Sequence, residues 1–198
     1  MTAPVPDRTA ADIDAATSAA RRVVDSLLAA GQDGGADWGD VADRLNAIAD
    51  DVRAHAPDTE RRMDAMWHGE NRHSPATGPE NALAPPMRMR ARDDGSIEGA
   101  VTLGLPYQGP RGSAHGGVSA LLLDHALGIA NHVAGRSGMT AELTLRYHRT
   151  VPLFRPLTVT ARQVSVDGRS IRAVGEIRAD GKVRVSAEGL FLPPRDKA

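Results

Sequence analysis

Apolar positions recur at helical spacing through the first third of the chain and alternate through the last third, with one dense apolar run between them. Ile13, Ala16, Ala20, Val23, Val24, Leu27 and Leu28 predict a helix over residues 12–30, stopped by Gly31. Val41, Leu45, Ile48 and Val52 make one stripe of a second helix over 37–55, ended by Pro57. Met63, Met66 and Trp67 predict a short helical turn over 58–68. Residues 1–10 are expected to fray, 32–37 to form a loop, and the polar stretch 69–86, broken by Pro and Gly, to act as a connector. Two amphipathic helices of this kind either buttress an apolar face of the remaining chain or close over a substrate tunnel.

The period changes after Pro86. Alternating runs at 87–92 and 96–103 flank Asp94-Gly95 and predict a hairpin. Further alternating runs cover 140–150, 157–166, 170–179 and 182–192, the last three separated by Asp167-Gly168 and Asp180-Gly181. Asp-Gly turns between such runs predict antiparallel pairing. From 118 to 130, nine of thirteen residues are apolar and they surround the helical wheel, which predicts a buried helix. The expected fold class is α+β: a curved antiparallel sheet of five to six strands wrapped round a long central helix. Residues 1–80 form the N-terminal helical extension and connector, and 81–198 the main domain.

Composition narrows the picture. Of 198 residues 41% are hydrophobic but only 3% aromatic, so the core must be aliphatic. A formal net charge of −1 gives no bulk attraction to nucleic acid or membrane, and neither partner is expected. The absence of cysteine removes disulfides and thiol catalysis. No apolar run suits a membrane span and the N-terminus does not read as a signal peptide, so a cytoplasmic protein is expected. The histidines lack metal-ligand spacing, and no nucleotide-binding or serine-hydrolase motif occurs; neither metal nor cofactor is expected.

Asp124 stands in the middle of the apolar helix. A desolvated carboxylate needs partners or a raised pKa, so Asp124 is either a structural side chain bonded to nearby backbone or a catalytic acid/base. His115-Gly116-Gly117 precedes it. Glycines at a first helical turn let a ligand approach unpaired N–H groups at the positive end of the dipole, a setting suited to a developing oxyanion. A Gly pair kept only for tight packing is the alternative. Asp124 lies nine residues after His115, too far along one helix for both ends to grip a single atom. An antiparallel second copy of the helix could bring one chain's Asp124 to the other's Gly116, which points to a dimer.

YxGPxG from Tyr107 to Gly112, then HGG, then Asp at this offset, and then AELTLRYHRTVPLFRPLTVTARQV resemble the hotdog-fold acyl-CoA thioesterases of the PaaI type. The resemblance covers about residues 80 to 192. It implies an acyl-CoA substrate, with Asp124 as general base or nucleophile and the Gly116 N–H polarising the thioester carbonyl. Gly117 would allow close approach, and His115 would contact the sulfur or hold the loop. Thr140 would hydrogen-bond the attacking water. Gln108 would orient the substrate, standing in for an Asn that many relatives carry where this chain has Gly109. Arg146 and Arg149, with Arg136 and Arg155, would meet the nucleotide phosphates. A homodimer or a tetramer built as a dimer of dimers is implied. A non-catalytic acyl-CoA-binding module and a hotdog hydratase/dehydratase are the competing readings on the same scaffold.

Overall fold

The computed structural model describes residues 8–31, 35–68 and 72–194. Residues 1–7, residues 32–34 of the expected loop at 32–37, residues 69–71 of the connector and residues 195–198 lie outside the described residues. Two compact units are present. The first holds residues up to Ser74 together with Gly78–Leu83, and the second holds Pro75–Thr77 and everything from Ala84 on.

In the first unit, α1 runs Arg8–Ala30, α2 Trp38–Ala54 and α3 Thr59–His68. Asp37 caps α2 by accepting from the Gly39 and Asp40 amides, as a carboxylate at a helix N-terminus should. The connector is tied to α1 by charge. Arg21 donates to the carbonyls of Gly78, Pro79 and Asn81 at 3.0, 3.3 and 2.7 Å. Arg72 bridges Asp14 at 2.5 Å and Glu80 at 2.7 Å. Its hydrogen bond holds the Glu80 carboxyl below the usual carboxylate range. Ile48 and Val52, on the predicted stripe of α2, are 62% and 65% exposed.

The second unit is a six-stranded antiparallel sheet in the order β1-β2-β4-β5-β6-β3 round one long helix. Its strands are β1 Arg88–Ala91, β2 Ile97–Thr102, β3 Met139–Tyr147, β4 Pro156–Asp167, β5 Ser170–Ala179 and β6 Lys182–Leu192, with α4 spanning Gly116–Val133. This is the hotdog arrangement. Successive Asp-Gly turns join β1 to β2, β4 to β5 and β5 to β6, and each joined pair is antiparallel. The core lies between α4 and the concave face of the sheet. Leu122, Leu123, Ala126, Leu127 and Ala130 pack against Val159, Ile171, Ile177, Val185 and Phe191. Gly175 and Gly189 admit the helix: a Cβ on either would lie 3.3 or 3.0 Å from a Leu127 methyl. Truncating Leu127 would cost about 2–5 kcal/mol.

Two expectations are refined. The run expected to continue as strand to residue 150 stops at Tyr147, because the His148 and Arg149 amides both turn to one carbonyl, that of Arg184. The central helix is not buried all round either. Its buried residues fall on one face, whereas Asp124, His125 and Ile129 are only partly covered and Val133 is 43% exposed. A single sheet covers one side of a helix, so an all-apolar wheel implies a further covering surface.

Candidate active site

The loop before α4 is held from three directions. Gly109 donates to the Ser113 carbonyl, Ala114 to Val151 and His115 to Tyr107. Gln108 accepts from the Gly112 amide at 3.1 Å through its side-chain carbonyl, so it braces the loop. Gly109 explains why no Asn stands there: a Cβ would lie 2.7 Å from the His115 Cα, leaving no room for a side chain.

His115 is the N-cap of α4, its Nδ1 accepting from the Gly117 amide at 3.0 Å. That bond places the proton of the neutral ring on Nε2, in an exposed side chain. The Val118 and Ser119 amides turn back to the His115 carbonyl. Among the described residues, the Gly116 amide is left without a protein acceptor in this first turn, at the positive end of the helix. A groove of about 360 Å³ opens beside it, lined by Ser113, Gly116, Ser119, Tyr147, His148 and Arg149 among others. Arg149 also donates to the Val183 carbonyl at 3.4 Å, and Arg146 is exposed on β3.

Asp124 lies eight residues further along α4, about 12 Å from Gly116 in axial rise. Thr140 donates its hydroxyl to Asp124 Oδ1 at 2.8 Å. Thr140 sits where the pairing of β3 with β6 shifts register, before Glu142. Bulges of this kind re-aim side chains. The next helical residue, His125, accepts or donates at Nε2 to the Thr77 hydroxyl at 2.8 Å. Burial pushes its imidazole below the ordinary pKa, with the Asp124 charge opposing. The site therefore has two halves in one chain, a carboxylate held by a hydroxyl and a free helical amide, too far apart to share a reacting atom.

Two residues were not anticipated. Tyr147 donates its hydroxyl to the Gly116 carbonyl at 3.0 Å, and Thr77 meets His125. A Tyr on an alternating strand and a Thr in a polar connector carry no local signal of a partner 31 or 48 residues away. Among the described residues no group of three His, Asp or Glu side chains is arranged to hold a metal ion, and no helix is long and apolar enough to cross a membrane.

Known proteins match both the sheet wrapped on one helix and the helices that precede it. Residues 111–186 match the family described as the thioesterase superfamily, and residues 4–61 match the family described as hypothetical protein RHA1_ro05818, N-terminal helical domain. The crystal structure of protein RHA08564, a thioesterase superfamily protein, is 55% identical, with a TM-score of 0.82 over 91% of this chain and 94% of that one. The chain belongs to the thioesterase superfamily, a class of thioester hydrolases. Among curated relatives, acyl-coenzyme A thioesterase THEM4 of Bos taurus is 36% identical over 92 residues, 45% of this chain and 38% of that protein. Its Xenopus laevis counterpart is 30% identical over 90 residues, 44% of this chain and 40% of that protein. The chain thus matches about two fifths of the length of these relatives. A hypothetical thioesterase from Streptococcus pneumoniae, solved with coenzyme A, shares the fold at 19% identity and a TM-score of 0.51, covering 56% of this chain and 91% of that one.

Proposed function

We propose that the protein hydrolyses acyl-CoA thioesters to free acid and CoA, in a site shared between two copies of the chain. Asp124 of one protomer acts as general base. Thr140 occupies Oδ1 and orients the carboxylate, which leaves Oδ2 to take a proton from water. The hydroxide attacks the thioester carbon, and the oxygen that gains charge is held by the Gly116 N–H of the other protomer. Collapse breaks the carbon–sulfur bond, and the proton held by Asp124 passes to the departing thiolate. His115 keeps the glycine turn in place, Gly117 lets the substrate approach, Gln108 braces the loop, and Arg149 and Arg146 meet the CoA phosphates.

The observation that carries the reading is the free Gly116 amide on a helix whose own carboxylate, Asp124, held by the Thr140 hydroxyl, stands about 12 Å further along it. The unlike edges of the sheet support a dimer that closes this gap. β1 is four residues long and carries Arg88 and Arg90, with Arg90 and Arg92 paired to Glu98, so charge blunts it. β3 presents nine residues, from Met139 to Tyr147, with one side unpaired. Antiparallel pairing of two β3 strands would set two α4 helices side by side with opposite directions. The matched curated relatives are acyl-coenzyme A thioesterases, which favours a CoA ester as substrate.

The test is thiol release from a panel of acyl-CoAs running from acetyl to stearoyl, with aromatic esters included. Wild type should release thiol from some of them, and Asp124→Ala should bind the ester without turnover. Wild type that binds the esters but releases no thiol would make the protein a binding module.

A further inference from the structure

Tyr147 is the last residue of β3, at an open edge and 55% exposed, yet its hydroxyl is engaged. It donates to the carbonyl of Gly116 at 3.0 Å. Its ring lies over the bare Cα: a Cβ on Gly116 would fall 3.3 Å from Oη and 3.5 Å from Cε1 and Cζ. The same peptide is held at its other end by the Gly117 amide on His115 Nδ1, and the peptide before the glycine is held through the His115 carbonyl, which accepts from the Val118 and Ser119 amides. What these contacts leave uncommitted is the Gly116 N–H, in a residue that lines the same groove as Tyr147.

We infer that Tyr147 is a positioning residue: by holding the peptide that follows Gly116 it fixes the backbone angles of this glycine, and so the aim of its N–H, carried by the preceding peptide, at the reacting carbonyl oxygen. This rests on the hydrolase reading above and adds to it the group that holds the donor. An oxyanion donor is effective only when it is already oriented as charge develops, because reorientation then adds nothing to the barrier. A helix N-terminus frays unless its first peptides are fixed from outside. His115 and the phenol hold the two ends of the Gly116–Gly117 peptide, which sets the backbone angles at Gly116. Gly116 does not have the positive φ that favours glycine, and a Cβ there would press on Oη at 3.3 Å, so a side chain at this position would push the phenol by a few tenths of an ångström.

Tyr147→Phe keeps the ring and removes only the hydroxyl at an exposed position, so it should fold as wild type. The expected result is a kcat lowered about tenfold with KM within about twofold, since an oriented donor acts on the transition state. A KM that rises while kcat holds would mean that the hydroxyl contacts substrate instead, and unchanged kinetics would mean no role; either overturns the inference. A second measurement needs no turnover. The backbone amide resonance of Gly116 should shift, and its hydrogen exchange quicken, in Tyr147→Phe. An unmoved Gly116 amide overturns the inference whatever the kinetics. A wild type that hydrolyses no acyl-CoA removes the hydrolase reading, and the Gly116 amide then decides the positioning claim alone. Finally, Gly116→Ala should be less damaging in a Tyr147→Ala background than in wild type, because the methyl then meets no phenol. Equal damage in both backgrounds would count against the packing.

Discussion

Thr140 donates its hydroxyl to Asp124 across 2.8 Å, joining the middle of the central helix to the bulged start of an edge strand. The bond satisfies one carboxylate oxygen and orients the other. Thr140→Val should therefore lower kcat about tenfold and Thr140→Ser should recover most of it, while Asp124→Asn should lower kcat by about two orders of magnitude or more. Steady-state kinetics with calorimetry of ester binding separates these losses from failure to bind.

If each reacting carbonyl is shared between chains, two inactive variants should repair each other. An Asp124→Asn chain keeps its glycine turn, and a Gly116→Val chain keeps its carboxylate. Unfolding and refolding them together at equal amounts gives mixed dimers with one intact site, and about a quarter of wild-type activity should return. Activity that stays at the sum of the separate variants would place both groups in one chain's site and remove the shared arrangement.

His115 acts as the cap of α4 through Nδ1. His115→Ala should lower stability by about 1 kcal/mol, the usual loss for an N-cap, and reduce kcat with it. Asn is among the best capping residues, so His115→Asn should restore Tm and most of kcat if the ring serves position. Thermal melts and turnover measured on the same samples decide between the cap and a direct contact with substrate.

Burial depresses the His125 pKa, so the folded chain binds this proton less readily than the unfolded chain. The unfolded state then holds more protons as pH falls below the ordinary histidine value. The stability present above that value is lost as pH drops through it toward the folded-state value. Wild type should lose Tm between about pH 7 and pH 5.5, and His125→Gln, which can still bond Thr77, should lose less. Parallel melts across that range would show it; identical slopes would remove His125 as the cause.

The second unit was legible to different depths. Strands announced themselves by alternation and by Asp-Gly turns, since both are local consequences of the pleat and of hairpin geometry. The glycine turn and Asp124 were legible because a charge in an apolar helix and two glycines at its start each break a local rule. Strand order was not. Nothing in the run from Met139 to Tyr147 says that it crosses the helix to pair with β6 and become an edge.

The sequence by itself determined the elements, the aliphatic core and the two groups from which chemistry can be built, because periodicity and local propensity act between near neighbours. Only the tertiary structure decided what those groups touch: Thr140 on Asp124, Tyr147 on Gly116 and Thr77 on His125, partners 16, 31 and 48 residues apart. Such contacts depend on how the sheet curls round the helix, and that follows from the summed packing of the whole core. Gly109 shows the same dependence, because its lack of a side chain has a reason only once His115 is folded against it.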